Sequence, residues 1–399
     1  MQNNVYEVNM IQRAVHGVIQ KYLHKRRAII IYGARRTGKT TLLNSIRANL
    51  TNFRYINCDL IDGQEAFDFR SLDDLLISFG AFKYILIDEA QRILDVGIKL
   101  KAIIDALPDT QIFVTGSSSL DLSNLTNEPL TGRKFEFTLP PLSSNELYDY
   151  EGITAVQRGL NIRLIYGNYP EVYLEKTVAE DIIKEIAGSY LFKDILIYQD
   201  IKRPDLMKKL LIALALQLGS EVSYTELANS VGMDKKTVER YISLMEQCFI
   251  IYRLGSYRRN LRSELKRAVK VYFWDNGIRN ALINNFSPPD MRNDIGALWE
   301  NYYITERRKM MLNRRASFDH YFWRTTSQQE IDLIEIENGA LTAFEIKWNP
   351  AKRVSYPLSF TQAYPEATLI SINPRNYLQG LIGKLHQLSL PSVNPKLEI

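Results

Sequence analysis

The stretch AIIIYGARRTGKTTLL, Ala28 to Leu43, decides how the first part of this chain folds. Ala28-Ile29-Ile30-Ile31-Tyr32 is an apolar run of the length of a buried strand. Gly33-Ala34-Arg35-Arg36-Thr37-Gly38-Lys39-Thr40 follows at once with the spacing Gly-x-x-x-x-Gly-Lys-Ser/Thr. Thr41-Leu42-Leu43-Asn44-Ser45-Ile46 then has the pattern of the first turns of a helix. Strand, glycine-bearing loop and helix is the context in which this spacing cradles phosphate. The glycines let backbone N–H groups curl around phosphate oxygens, and the helix N-terminus adds positive potential. Gly33, Arg36, Thr37, Gly38, Lys39, Thr40 and Thr41 are therefore the expected ATP-binding set. Lys39 is expected on the β- and γ-phosphates, and the Thr40 hydroxyl on Mg2+.

Two further strands place chemistry beside the loop. Tyr84-Ile85-Leu86-Ile87 ends in Asp88-Glu89. Asp88 fits the acid of the Mg2+ shell, and Glu89 the base that polarises the attacking water. Gln111-Ile112-Phe113-Val114-Thr115 runs into Gly116-Ser117-Ser118-Ser119. A polar side chain at that strand end would orient the water, with Ser117 or Ser118 as the candidate. Arg133, after Gly132, is a candidate transition-state arginine, acting in cis or on a neighbouring subunit, or else a surface residue. Of Arg35 and Arg36, one is expected to stay solvated.

Several features of this region and beyond it resemble the AAA-family ATPases (type 14) of bacteria and archaea. They are the loop Gly33 to Leu43, Asp88-Glu89-Ala90-Gln91, Thr115-Gly116-Ser117-Ser118, Gly132-Arg133, Leu139-Pro140-Pro141-Leu142-Ser143-Ser144-Asn145-Glu146-Leu147 and Tyr166-Gly167-Asn168-Tyr169-Pro170-Glu171-Val172. Many relatives have Pro where this chain has Ala34. The resemblance spans nearly the whole chain. It implies an α/β protein with a P-loop NTPase core of AAA type, a helical and winged-helix middle, and a C-terminal domain of unknown function (the 4143 family). The expected divisions are 1–145 for the ATPase core, 146–215 for a helical lid region, 216–280 for the winged helix and 281–399 for the last domain.

The middle carries its own signals. Thr225 to Met233 reads as a short helix with a tight turn, and Lys235 to Gln247 as a second helix with Asp234 as N-cap. Val238, Ile242 and Met245 recur at helical spacing. Phe249 to Leu254 reads as a strand, which completes a winged-helix order. Arg253, Arg258, Arg259, Arg262, Lys266, Arg267 and Lys270 then make a basic stretch with Tyr252, Tyr257 and Tyr272 among them. With Lys235, Lys236 and Arg240 it could track a nucleic-acid backbone. The alternative is a solvated face or a protein-interaction module.

Near the C-terminal end, Ile331 to Ile336 and Leu341 to Trp348 read as two strands joined by Asn338-Gly339, a two-residue hairpin signal. Pairing outward from that turn sets Asp332 opposite Glu345 and Glu330 opposite Lys347. Asp332, Glu345 and Lys347 then share one face, with Ile331, Leu333, Phe344 and Ile346 on the other. Two carboxylates and a lysine at one spot can bind Mg2+ and activate water. The spacing is similar to the PD-(D/E)xK nuclease pattern. That resemblance implies metal at Asp332 and Glu345, support from Glu300 on a preceding helix, water positioned by Lys347, and help from Gln328 or Gln329. The alternative is an ion-paired hairpin without turnover.

Composition narrows the remaining classes. The 399 residues carry a net charge of +5, which permits nucleic-acid contact without demanding it. Cys58 and Cys248 form neither a disulfide framework nor a zinc spacing, and the four histidines show no ligand pattern. Met1 to Asn9 is polar, unlike a signal peptide, and Leu210 to Leu218 is too short to span a bilayer. A cytoplasmic chain without a membrane partner is expected, with a homo-oligomer or protein partner left open. Three functions follow: an ATPase acting on nucleic acid, an ATP-driven switch or scaffold for protein partners with a non-cleaving C-terminal domain, and a DNA-binding regulator that uses ATP only as a ligand.

Overall fold

A computed structural model describes residues 10–117, 130–190, 203–257 and 268–382. Five strands form the first sheet: β1 (Ala28–Tyr32), β2 (Phe53–Asn57), β3 (Tyr84–Asp88), β4 (Gln111–Gly116) and β5 (Lys134–Thr138). Their order is β2-β3-β4-β1-β5, and every pair is parallel. All five β1 residues are buried, as a parallel strand covered on both faces requires. Alternation divides them: Ala28, Ile30 and Tyr32 enter one apolar cluster, while Ile29 and Ile31 enter the other. Helices α1 (Ala14–Ile19), α2 (Lys39–Arg47), α3 (Leu72–Phe79) and α4 (Val96–Ala106) belong to this body. Because β4 lies between β1 and β3, its C-terminal end stands between the phosphate loop and the acidic pair.

Helical elements follow: α5 (Ser144–Arg158), α6 (Leu160–Tyr166), α7 (Pro170–Leu174) and α8 (Ala179–Glu185). Gly152 breaks α5 with φ 81° and ψ 168°. Ser143 caps α5 in a reciprocal box with Glu146. Helices α9 (Pro204–Leu216), α10 (Tyr224–Val231) and α11 (Lys235–Gln247) lead into β6 (Ile251–Ser256) and β7 (Val269–Phe273), an antiparallel pair. Asp234 caps α11 as expected, accepting the Thr237 N–H at 2.9 Å. Val238, Ile242 and Met245 are buried as read, together with Tyr241.

Next come α12 (Asn276–Leu282), α13 (Ile295–Arg314), β8 (Phe318–Arg324), β9 (Glu330–Glu337), β10 (Ala340–Ile346) and β11 (Thr368–Ile372). The second sheet has the order β11-β10-β9-β8-β6-β7. β6 joins it by parallel pairing of Gly255 with Tyr321 and Ser256 with Phe322. The expected division at 280/281 therefore runs through one sheet and through one apolar cluster whose members run from Ile11 and Leu142 to Leu381. At the centre lies α13, buried on nearly every side. Its Asn301 accepts the Phe273 N–H at 2.8 Å and donates to the Phe273 carbonyl at 3.1 Å.

The hairpin turn forms as read, with positive φ at Asn338 (51°) and Gly339 (83°). The register from Ala340↔Glu337 to Phe344↔Leu333 also matches. Two details differ. Ile331 packs with Trp323 and Ile334 in a separate cluster, while Leu333, Phe344 and Ile346 belong to the large one. The pairing of β9 with β10 ends at Phe344, and β10 continues beside β11. The Lys347 N–H accordingly bonds the Ile372 carbonyl at 2.8 Å, and Glu330 does not face Lys347.

Candidate functional site

The phosphate loop is shaped by one close approach, one left-handed glycine and hydrogen bonds within the loop. A Cβ on Gly33 would lie 2.3 Å from the Leu139 carbonyl oxygen, so the crossing of the loop with the end of β5 admits only glycine. Gly38 precedes α2 with φ 91°, a left-handed conformation. Thr37 is buried and its hydroxyl donates to the Ala34 carbonyl at 2.8 Å. The Lys39 ammonium, 4% exposed, donates to the carbonyls of Gly33 and Ala34, both at 2.9 Å. Thr40 and Thr41 are exposed at the start of α2.

Behind the loop stands Arg13, which sequence reading missed. It donates to the Thr37 carbonyl at 2.5 Å, the Pro140 carbonyl at 2.6 Å and Glu146 at 2.9 Å. Glu146 is buried, which alone would raise its pKa, but Arg13 and the bonding N–H groups hold it below the usual carboxylate range. No local motif marks Arg13, because it lies well upstream of the loop.

The acids gather at the ends of β3 and β4. Asp88 is buried and accepts from the Tyr55 hydroxyl at 3.0 Å and from the Thr115 hydroxyl. Thr115 also accepts the Glu89 N–H at 3.1 Å. Glu89 has φ 55°, which turns the chain sharply after β3, and its carboxylate accepts from the Gln91 amide. Burial, then Asp88, push the Tyr55 hydroxyl pKa upward. The polar strand end that touches the acids is thus Thr115 rather than Ser117. Ser117 is buried, and its N–H bonds Gln91 at 3.3 Å. Ser118 lies outside the described residues.

A cavity of about 470 Å³ is lined by Arg36, Gly38, Lys39, Thr40, Thr41 and Glu89 on one side and by Pro170, Glu171, Leu174 and Glu175 on the other. Arg36, at φ 61°, pairs with Glu171 at 2.9 Å and Glu185 at 3.2 Å, tying the loop to α7 and α8. Arg133 is placed elsewhere. Its carbonyl accepts the Ala28 N–H at 2.9 Å, at the opposite end of β1 from the loop, and its guanidinium pairs with Asp105 at 2.7 Å. Five strand residues separate the two ends, roughly 16 Å. The expectation that Arg133 serves this chain's own loop is therefore corrected.

The second cluster lies where β9 and β10 part. Asp332 accepts the Ile346 N–H at 2.7 Å in place of a strand partner. Lys347 bridges Asp332 at 2.8 Å and Glu345 at 2.7 Å, which unites the three residues read from the hairpin. Glu300, on α13, accepts from the Tyr272 hydroxyl at 2.6 Å and pairs with Lys270 at 3.3 Å. Lys270 also pairs with Glu330 at 2.5 Å. Burial raises the Glu300 pKa to about 7; Lys270 opposes this and the nearby Asp332 charge adds to it. Burial and Asp332 likewise raise Glu345 to about 7. Lys347 is shifted up, its two carboxylates outweighing burial. Among the described residues no three His, Cys, Asp or Glu side chains are gathered closely enough to hold a metal. Lys347 lies between Asp332 and Glu345 and pairs with both carboxylates. Gln328 bonds Arg324 and Gln329 accepts from Ser359 at 2.6 Å, and neither touches the carboxylates in these bonds.

The basic stretch is also rearranged. Lys270 is buried at 2% exposure and serves the acidic cluster, while Arg253 pairs with Glu246 at 2.5 Å. Arg258, Arg259, Arg262, Lys266 and Arg267 lie outside the described residues. Lys235, Lys236 and Arg240 are exposed on α11, and Lys208 and Lys209 on α9. Among the described residues no helix is long and apolar enough to cross a membrane.

The loop, the all-parallel sheet and the acids at the strand ends define a P-loop ATPase core. Residues 25–148 match the AAA domain family, which assigns that core to the AAA class. Residues 295–393 match a domain of unknown function (DUF4143), and residues 157–289 another (DUF8612). An uncharacterized protein of Mycobacterium tuberculosis is 26% identical over 347 residues, covering 84% of this chain and 74% of that one. An uncharacterized protein of Methanocaldococcus jannaschii is 24% identical over 373 residues, covering 86% and 80%. Among solved structures, Cdc6p from Pyrobaculum aerophilum aligns over 69% of this chain and 93% of its own, at 14% identity. Its TM-score of 0.26 is too low to carry an argument.

Proposed function

We propose that this protein is a Mg2+-dependent ATPase that acts with nucleic acid. The observation that carries the reading is the single cavity in which Lys39, Thr40 and Glu89 meet, backed by Asp88 and Thr115. The donors fit Mg2+, since the Thr40 hydroxyl at the start of α2 and the Asp88 carboxylate at the end of β3 are both oxygen ligands. Bound there, Mg2+ would neutralise charge on the β- and γ-phosphates. Gly33, Arg36, Thr37, Gly38, Lys39 and Thr41 hold the phosphates, Glu89 orients and deprotonates the attacking water, and Thr115 fixes the Asp88 and Glu89 geometry. The Lys39 ammonium, now on two loop carbonyls, is the group that would turn to phosphate oxygen. Lys39→Ala should abolish ATP binding, and Glu89→Gln should keep binding while lowering turnover by at least ~100-fold. Retained turnover in Glu89→Gln, measured by phosphate release, would remove Glu89 as the base.

The nucleic-acid part rests on the winged-helix order of α9, α10, α11, β6 and β7 and on exposed Lys235, Lys236 and Arg240 of α11. Salt-dependent binding of duplex and single-stranded probes tests it, with Lys235, Lys236 and Arg240 replaced together by Ala. A second reading keeps the ATPase as a switch for protein partners with a non-cleaving C-terminal domain. That no three possible metal ligands are gathered among the described residues supports that version of the domain. Mg2+-dependent cleavage that is lost in Asp332→Ala would instead support the nuclease.

A further inference from the structure

Arg163, on α6, is 1% exposed and forms no ion pair among the described residues. Its Nε bonds the Tyr302 hydroxyl oxygen at 3.1 Å, and Nη2 bonds the Tyr377 hydroxyl at 3.0 Å and the Val156 carbonyl. The nearby carboxylate of Glu306 already accepts from Lys309 at 2.8 Å, Asn168 at 3.2 Å and the Ser144 N–H. Nη1 is left buried without a partner. A buried donor left without a hydrogen-bond partner is costly and calls for a reason, such as a group that binds there.

Nη1 is directed toward Gly159, where a built Cβ would lie 2.8 Å away. Gly159 and Arg163 both line a cavity of about 230 Å³. Its walls include Ile162, Tyr166, Val172 and Tyr173, and Arg158 and Lys176 add cationic side chains; Glu151 is the single carboxylate among the lining residues. The cavity backs onto α7, whose Val172 and Tyr173 face it while Pro170, Glu171 and Leu174 line the ATP-side cavity.

We propose that this cavity binds a small organic anion, a carboxylate or phosphate group on an apolar body. The oxyanion takes the unpaired Nη1 of Arg163 together with Arg158 and Lys176, and the apolar body packs on the aromatic and aliphatic walls. Because α7 separates the two cavities, the ligand would sit as an effector behind the nucleotide.

Calorimetric titration of the full chain tests this, in a Lys39→Met background so that the phosphate loop does not take the probe. Benzoate and phenyl phosphate are the probes, with benzyl alcohol and inorganic phosphate as controls. Saturable binding of one of the organic anions with Kd below about 1 mM is expected, at least ~10-fold tighter than either control. Preference between the two tells carboxylate from phosphate. Gly159→Ala, which fills the approach to Nη1, should weaken binding at least ~10-fold, and Arg158→Ala with Lys176→Ala should weaken it in a protein whose circular dichroism is unchanged. Absence of binding, equal binding of benzyl alcohol, or affinity indifferent to both sets of variants overturns the site. Equal binding of inorganic phosphate overturns the organic ligand.

Discussion

Thr115 acts through one hydroxyl, which donates to Asp88 and accepts the Glu89 N–H. Thr115→Val keeps the shape and removes both bonds. ATP turnover is expected to fall on the order of 10- to 100-fold while nucleotide affinity changes less than ~3-fold, checked by steady-state rates and ATP titration. The sequence marked a polar end to this strand but placed the candidate at Ser117 or Ser118; what could not be read was that β4 sits between β1 and β3, with Thr115 beside the acids. Asp294 offers a pH test. Burial would raise its pKa, but bonds from Arg292 and Arg279 bring it to about 2. A depressed folded pKa contributes stability above the unfolded value and loses it as pH falls through the folded one. Asp294→Asn should therefore be less stable than the parent at pH 7, with the gap closing between about pH 4 and pH 2. Urea midpoints across that range check it.

Among the elements, α13 decides where the second sheet lies. Asn301 clamps both backbone groups of Phe273, and Thr305 adds a bond to the same carbonyl at 3.1 Å. Asn301→Ala leaves the buried Phe273 N–H without an acceptor and should cost about 2 kcal/mol, seen as a lowered denaturation midpoint. The β9–β10 hairpin was legible because Asn338-Gly339 specifies its own turn and period-two alternation sets the register. Its divergence beyond Phe344 was not legible, because it depends on β10 keeping β11 as partner. That parting opens the fork in which Asp332 takes a backbone N–H and meets Lys347.

At the scale of the whole molecule, the middle and the C-terminal part share one core. Lys270 and Tyr272 of β7 reach Glu300 of α13, and Lys270 also reaches Glu330 of β9, so the second cluster is assembled across position 280/281. A chain divided there should leave residues 281–399 without β6 and β7 and expose Trp299, Tyr303 and Phe322, which are now fully buried. Expressed alone, that piece should lack the dispersed amide spectrum of a folded domain and bind a hydrophobic dye; a dispersed spectrum would show that the edge strands are dispensable.

The phosphate loop, its flanking strand and helix, the acids at the end of β3 and the hairpin turn were determined by the sequence itself. Each is set by contiguous residues whose φ preferences, spacing and alternation act over one or two turns of chain. Tertiary structure decided that Arg13 braces Thr37, that Arg133 stands at the far end of the sheet, and that Lys270 joins the carboxylates. A lysine or arginine has the same local signature whether solvated or buried; only the partner brought to it by distant packing offsets its desolvation and sets its role.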